Sequence, residues 1–328
     1  MTSEPKRVLI TGGSGFLGTN VVQGYLDRGV TVLSLDKAEP RNAAHRGVFQ
    51  RVDILDEAAL KRAFQDFGPD LLIHFAARTD LEGLSLGDYR ENIDGVRNVT
   101  REANECRSLR RAIYASSRLV FQIDHTPAHD YDYSATTFYG KSKIEGERIV
   151  REQETPHVPW VLVRPTSIWG PWFDVPYKGF FVSVEKGRYR HPRGRQILKS
   201  FGYVGNLVHE LMRLAEAPEQ AVAGRVFFLA DYEPIDVRQW SRTIARHLGV
   251  PDVREMPYAL MKLAAVAGDL LEASRLVKPP ITSWRLNNLV TNMVYPLSPT
   301  AQVAGALPFA VDEGVARTVA WMRGKAKS

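Results

Sequence analysis

The stretch Val8-Leu9-Ile10-Thr11-Gly12-Gly13-Ser14-Gly15-Phe16-Leu17-Gly18 decides the fold. A short apolar run ends in a glycine cluster, helical spacing follows from Asn20 to Arg28, and a second apolar run covers Val30-Thr31-Val32-Leu33-Ser34-Leu35. That is a strand, a tight turn, a helix and a strand. The alternation continues through Phe49-Gln50-Arg51-Val52, a helix over 57–67, Leu71-Leu72-Ile73-His74-Phe75, a helix from Asn92 to Ala103, Arg111-Ala112-Ile113-Tyr114-Ala115 and Trp160-Val161-Leu162-Val163. Such alternation predicts an α/β protein with a Rossmann-type, doubly wound parallel sheet. After Arg164-Pro165 the composition shifts to aromatics, Gly, Pro and Arg. The nucleotide-binding domain is therefore expected over 1–165 and a smaller, mainly substrate-binding C-terminal lobe over 166–328. Val226-Phe227-Phe228-Leu229 reads as one more strand of the main sheet, so about 199–230 should return to the first domain and leave the lobe interleaved.

The glycine cluster satisfies Gly-x-Gly-x-x-Gly at Gly13, Gly15 and Gly18, and Gly-x-x-Gly-x-x-Gly at Gly12, Gly15 and Gly18. Between a strand and a helix, such glycines let the backbone approach a pyrophosphate while the helix N-terminus offers free N–H groups. Asp36 ends the second strand, where a carboxylate accepts both ribose hydroxyls of NAD and repels the extra phosphate of NADP. NAD is the expected cofactor. Lys37 and Arg41 lie close enough in sequence to soften that preference. Asp53, after the third strand, is placed to meet the adenine edge, or to cap a turn.

Downstream lies Tyr139-Gly140-Lys141-Ser142-Lys143. On a helix Tyr139 and Lys143 share a face, so the ammonium can hold the nicotinamide ribose and draw the phenol, with its ordinary pKa of about 10, towards ionisation. Tyr114-Ala115-Ser116-Ser117 closes a strand at the edge where ligands bind in open α/β sheets. A hydroxyl there can orient a substrate alcohol or carbonyl for Tyr139, and Ser117 is assigned that role over Ser116. His74, on an apolar strand, reads as structural.

These segments, with His74-Phe75-Ala76-Ala77, Asn92, Arg164-Pro165 and Trp169-Gly170-Pro171, resemble the extended short-chain dehydrogenase/reductase family, in its sugar-nucleotide epimerase and dehydratase branch. The resemblance is strong over the first half of the chain and loose beyond it. It implies a catalytic triad of Ser117, Tyr139 and Lys143. It also implies an NAD trough formed by Gly12, Gly15, Phe16, Leu17, Gly18, Asp36, Asp53, Ile54, Phe75, Ala76 and Ala77 together with Tyr139 and Lys143. A nucleotide sugar is the implied substrate, with Arg78, Ser117, Lys199 and Arg285 among its contacts, and a homodimer is implied through helices around Ala103 and Lys143. Sugar-nucleotide dehydratases carry an Asp-Glu pair after the catalytic hydroxyl, whereas Arg118-Leu119 follows Ser117 here, so dehydration is disfavoured. The favoured expectation is a C4 epimerase working through a 4-keto intermediate. One-way dehydrogenases, 4-ketoreductases and hydroxysteroid-type enzymes use the same triad, and a non-catalytic NAD sensor is the third alternative.

A basic, aromatic stretch from Phe180 to Lys199, with Lys186, Arg188, Arg190, Arg193 and Arg195, corresponds by the same resemblance to a nucleotide-diphosphate cradle, where its cations would neutralise a pyrophosphate; a solvated basic loop is the alternative. The formal charge of +6 admits nucleic acid as a partner, but the basic residues are dispersed and no nucleic-acid motif accompanies them. His125, His129, Asp130 and Asp132 sit in a Pro-containing loop without thiolates, so no metal site is assigned. Cys106 is the only cysteine and no signal-peptide pattern opens the chain, which leads to the expectation of a cytoplasmic protein. The apolar stretch from Leu260 to Val277 is interrupted by charges and reads as an amphipathic helix, so no membrane partner is expected.

Overall fold

Val8, Leu9 and Ile10 are all fully buried, because the strand that carries them has helices on both faces. A computed structural model of the chain describes residues 4–125, 127–153, 157–174, 176–273 and 281–324. The first half comprises β1 (Arg7–Thr11), α1 (Phe16–Asp27), β2 (Thr31–Asp36), β3 (Phe49–Arg51), α2 (Glu57–Phe67), β4 (Leu71–His74), α3 (Val96–Glu105), β5 (Arg111–Ala115), α4 (Phe138–Arg151) and β6 (Trp160–Pro165). The second comprises β7 (Ser167–Trp169), α5 (Tyr177–Glu185), β8 (Arg190–Pro192), β9 (Leu198–Lys199), β10 (Phe201–Tyr203), α6 (Val204–Glu216), α7 (Glu219–Val222), β11 (Arg225–Leu229), β12 (Ile235–Asp236), α8 (Val237–Leu248), β13 (Arg254–Met256), α9 (Tyr258–Ala273), α10 (Ser283–Val290), α11 (Ser298–Ala304) and α12 (Val311–Met322).

Seven parallel strands form one sheet in the order β11-β6-β5-β4-β1-β2-β3, which is a Rossmann fold. The order reverses at β1, which lies between β2 and β4, and the crevice at their C-terminal ends is the topological switch point. Alternate residues of each strand feed opposite layers. Val8, Ile10, Ile73 and Ile113 pack towards α1 and α6, whereas Leu9, Leu72, Ala112 and Leu162 pack towards Leu60 and Phe64 of α2 and Val99 of α3.

β11 returns from the second half to pair with β6, in register from Arg225 opposite Val161 to Leu229 opposite Pro165. α6 lies on α1 at Gly24, where a Cβ would come within 2.6 Å of Val208. Its C-terminal carbonyls are capped from across the sheet by Arg111, whose guanidinium donates to Leu214 O at 2.7 Å and Ala217 O at 2.8 Å. Trp240 of α8 stacks on Phe180 at 4.9 Å and meets Trp169 at 5.5 Å, so the aromatic residues of the second half form its core. α9 and α10 pack together through Met261, Ala265 and Leu286. The helix expected over 260–277 is present as α9 as far as it is described, with Met261 and Ala265 on its inner face. Its outward face carries Leu260, Leu263, Val266 and Leu270, all exposed, and residues 274–277 lie outside the described residues.

Behind the sheet edge two carboxyls are buried side by side, Glu210 of α6 and Asp231 just after β11. Asp231 Oδ1 accepts from Tyr203 N at 3.2 Å and from Asn206 Nδ2 at 2.7 Å, and Asn206 in turn holds the backbone of Phe309. Burial pushes Asp231 up to about 6, against those hydrogen bonds, and holds Glu210 well above the usual carboxylate range, with Asp231's charge acting the same way. A carboxyl raised on folding contributes most below its unfolded pKa, and that contribution is lost as pH rises through the folded value. Asp231→Asn keeps Oδ1 and removes the titration. Between about pH 3 and about pH 7 its stability should rise relative to the parent by roughly 3 kcal/mol, read from denaturant unfolding; a pH-independent difference would exclude this carboxyl as the source.

Candidate active site

The turn from β1 to α1 is held open by the absence of side chains. Gly12 has φ +74°, and a Cβ there would sit 2.5 Å from Ala76 N; at Gly18 it would sit 2.1 Å from Gly12 O. Gly15 is the N-cap of α1 and brings no side chain to bond the first-turn N–H groups, which leaves them for an anion. Above the turn lies a cleft of ≈ 400 Å³. Gly12, Gly15, Phe16, Leu17, Gly18, Asp36, Asp53, Ile54, Phe75, Ala76, Ala77, Ser117, Tyr139 and Lys143 all border it.

Asp36 is fixed at the end of β2 by Ser14 N on Oδ2 and Ala38 N on Oδ1, both at 3.0 Å. The two cations beside it are engaged: Lys37 pairs with Glu91 at 2.7 Å, and Arg41 donates to Trp172 O at 3.0 Å and lies 3.7 Å from Asp174. Asp53 both borders the cleft and accepts from Leu55 N at 2.9 Å, so the turn-capping and ligand-facing readings coexist. The residues present fit a dinucleotide with an unphosphorylated ribose.

At the other end of the cleft, Thr137 caps α4 by accepting from Gly140 N at 3.0 Å, and Tyr139 and Lys143 follow on one face. Gly140 is needed there, because a Cβ would meet Leu119 O at 2.1 Å; its absence lets α4 press against the turn after β5. That approach brings Ser117 to the Tyr139 phenol as a hydrogen-bond partner, while Ser117 Oγ also accepts from Leu119 N at 3.1 Å. Burial pushes Tyr139 up to about 12, and the Ser117 hydrogen bond opposes the rise only in part. The expected pull of Lys143 does not offset the burial of the neutral phenol. Its Nζ lies 6.0 Å from the ring centroid of Tyr139, donates to Ala115 O at 3.0 Å, and is itself lowered to about 8 by burial. His74 bonds Thr11 Oγ1 at 2.6 Å and is held down at about 3 by burial, so it stays neutral within the sheet.

Ser116 takes a structural part. Its Oγ donates to Glu147, one turn beyond Lys143, and Glu147 forms a two-pronged ion pair with Arg164 of β6, at 2.8 Å to Nε and 2.7 Å to Nη2. Both side chains are fully shielded, and Tyr133 Oη donates to the second carboxylate oxygen at 2.6 Å. Sequence reasoning used Arg164 only as a family marker and missed Glu147. The signal was present in its i+4 spacing from Lys143 on a buried helix face.

The residues expected to bind a substrate pyrophosphate lie elsewhere. Lys199 is buried and donates to Asn288 O at 2.7 Å and to Thr291 O at the end of α10; burial lowers it to about 7, with Arg118's charge acting the same way. Arg285 is exposed on α10, 4.0 Å from Glu272. Arg78 pairs with Asp80 at 2.8 Å and rests over Tyr89. Arg195 stacks on Tyr258 at 3.8 Å. None of these four borders the cleft. Near the triad its wall is instead Pro165, Thr166, Ile168 and Tyr177, positions that sequence reasoning did not assign. Arg118, directly after Ser117, is 8% exposed; its Nη1 has no hydrogen-bond partner among the described residues, and its charge reaches Tyr139 and Tyr177.

The sequence profile of the NAD dependent epimerase/dehydratase family matches residues 8–230. The chain belongs to that family. It is 31% identical over 265 residues to the 3 beta-hydroxysteroid dehydrogenase/Delta 5-->4-isomerase of Mycobacterium tuberculosis, covering 76% of this chain and 71% of that protein. It is 26% identical over 325 residues to the 2-alkyl-3-oxoalkanoate reductase of Stenotrophomonas maltophilia, covering 95% and 98%. Its fold matches the UDP-glucose 4-epimerase of Thermus thermophilus, solved in complex with NAD, with a TM-score of 0.72 at 22% identity over 98% of this chain and 100% of that one. This member of the family is an NAD-dependent enzyme of the extended short-chain dehydrogenase/reductase type.

Asp36→Ala should weaken NAD about tenfold or more, from the loss of charge-assisted hydrogen bonds, and weaken NADP less. Equal losses in fluorescence titrations with the two nucleotides would refute the ribose assignment. Glu147→Gln leaves Arg164 buried without its counter-charge and should cost about 3–5 kcal/mol of stability in denaturant unfolding. A loss below about 1 kcal/mol would show that the ion pair does not fix α4 to β6.

Proposed function

We propose that this protein transfers a hydride, with net turnover of NAD, between the cofactor and a secondary alcohol or ketone on a largely apolar molecule that bears an acidic group near the reacting carbon. The observation that carries the reading is the cleft wall by the triad. Among the described bordering residues the cations are Lys37 and Arg41, both engaged near Asp36, and Lys143; the remaining wall near the triad is Pro165, Thr166, Ile168 and Tyr177. An apolar body fits such a wall better than a diphosphate does. Arg118, directly after Ser117, does not itself border the cleft, but its buried guanidinium, with Nη1 lacking a hydrogen-bond partner among the described residues, offers positive charge behind the triad to an acidic group. The names of the mycobacterial and Stenotrophomonas relatives, a hydroxysteroid dehydrogenase and an oxoalkanoate reductase, support the same reading.

When bound, NAD supplies the hydride acceptor. Ser117 and Tyr139 present two hydroxyls to the substrate oxygen, and Tyr139 Oη takes the carbinol proton during oxidation or returns it during reduction. A phenol raised to about 12 is a strong base once ionised and holds its proton firmly before reaction, so the Ser117 hydrogen bond and the ammonium of Lys143 one turn away must stabilise the phenolate as it forms.

The second reading is the C4 epimerisation of a nucleotide sugar through a 4-keto intermediate, with hydride returned to the opposite face and no net use of NAD. It is supported by the likeness in fold to a UDP-glucose 4-epimerase along the whole chain, and the triad serves either outcome. The two are separated by incubating the protein with 3-hydroxysteroids, 3-hydroxy acids and UDP-, GDP- and dTDP-sugars, following NADH by absorbance and products by NMR. Cofactor reduced in step with oxidation of an apolar alcohol is the expected result; a C4 epimer formed without net NADH would overturn it in favour of the second reading. Tyr139→Phe should lower the rate by about 10²–10⁴ with NAD binding kept, and Arg118→Met should raise KM for acidic substrates more than for neutral ones.

A further inference from the structure

α9 exposes large apolar residues to water. Asp269, one of its few charged residues, is half-buried and accepts from Ser283 N at 2.9 Å and from Ser283 Oγ at the start of α10. The leucines face water: Leu263 is 68% exposed and Leu270 73%, with Leu260, Val266 and Leu271 beside them and Trp284 of α10 also exposed. The spacing 260, 263, 270 and 271 keeps these residues along one ridge of the helix. Single exposed apolar residues are ordinary, but several large ones along one side of a helix mark a contact.

The rim of the ridge is basic. Arg195 and Lys262 both lie over the ring of Tyr258, the first residue of α9, at 3.8 and 5.0 Å. Arg193 N donates to Met256 O at 2.9 Å, and Arg254 opens the strand that leads into the helix. Among the described residues none of these four cations forms an ion pair, while the neighbouring acids Asp252, Glu255 and Glu272 each face an arginine of their own. We infer that α9 is an interfacial anchor, lying flat on an anionic lipid surface with its leucines and Trp284 among the headgroups and acyl chains and its basic rim on the lipid phosphates. At 16 residues the helix is about 24 Å long and rests in the surface without crossing it. A second copy of the chain is the weaker occupant, because two-fold pairing of this face would set like-charged rims against each other. The inference revises the expectation of no membrane contact and stands independently of the reaction catalysed.

The test is sedimentation of the full-length protein with vesicles of phosphatidylcholine alone or with about 30% phosphatidylglycerol, each basic side chain at an anionic surface strengthening binding roughly fivefold. The protein should pellet with the anionic vesicles, more weakly with the neutral ones, and lose at least about tenfold in affinity in the double variant Leu263→Glu/Leu270→Glu, with circular dichroism unchanged. Arg193→Glu/Arg195→Glu should abolish the preference for anionic lipid. Failure of the parent to pellet with anionic vesicles would overturn the inference, as would pelleting unaffected by the leucine substitutions. A parent that is dimeric and does not pellet, and becomes monomeric when the leucines are replaced, would assign the ridge to a second copy.

Discussion

The ion pair between Glu147 and Arg164 is the constraint on which the reacting centre depends. It crosses from α4 to β6, both partners are shielded from water, and the carboxylate also receives Ser116 and Tyr133. Taking two charges out of water is costly, and a hydrophobic pair of equal volume would often be as stable. What the ion pair adds is direction. A carboxylate held by a planar guanidinium at two points has one orientation, so the register of α4 against the sheet is set at Glu147, one turn from Lys143 and two from Tyr139. The same carboxylate engages Ser116, which leaves Ser117 as the serine that faces the phenol.

Close backbone approach is the complementary constraint. Gly12 and Gly18 let the strand, turn and helix of the phosphate cradle close to distances that a Cβ would forbid, and Gly140 does the same where α4 meets the turn after β5. The two contacts lie at opposite ends of one cleft and serve opposite needs. The first exposes backbone N–H groups to an anion, while the second hides a phenol and an ammonium from water and so raises one pKa and lowers the other. Both shifts favour the neutral form, as desolvation requires.

This explains which parts of the protein could be read from its sequence. The glycine turn, Asp36 and the Tyr139–Lys143 pair are local patterns whose geometry follows from a strand end or one helical turn, and the structure places them around a single cleft. The sheet was legible because each strand is a short apolar run buried on both faces. The second half was not, because the roles of its charged residues are set by distant partners. Lys199 is engaged by carbonyls near residue 290, Arg195 by the ring of Tyr258, and Arg111 by the end of a helix that follows a hundred residues later. A basic stretch in sequence looks the same whether its cations meet a ligand, an aromatic face or a helix terminus. The exposure of the apolar ridge of α9 was not legible for a related reason: periodicity shows that a helix has an apolar face and does not say which way that face will turn.

The exposed ridge and the reacting centre are structurally close. α10 packs on α9, its last carbonyls hold the ammonium of Lys199, and Lys199 lies near enough to Arg118 for the two charges to repel. Arg118 in turn follows Ser117 directly. The helix pair that carries the outward leucines is therefore linked, through Lys199 and Arg118, to the turn that holds Ser117. An apolar molecule has low solubility in water and a high concentration in a bilayer, so an enzyme with an apolar cleft wall gains most when its entrance sits at the lipid surface. The wall of Pro165, Ile168 and Tyr177 and the ridge of Leu263 and Leu270 were reached from separate observations, and both suit the apolar substrate proposed above.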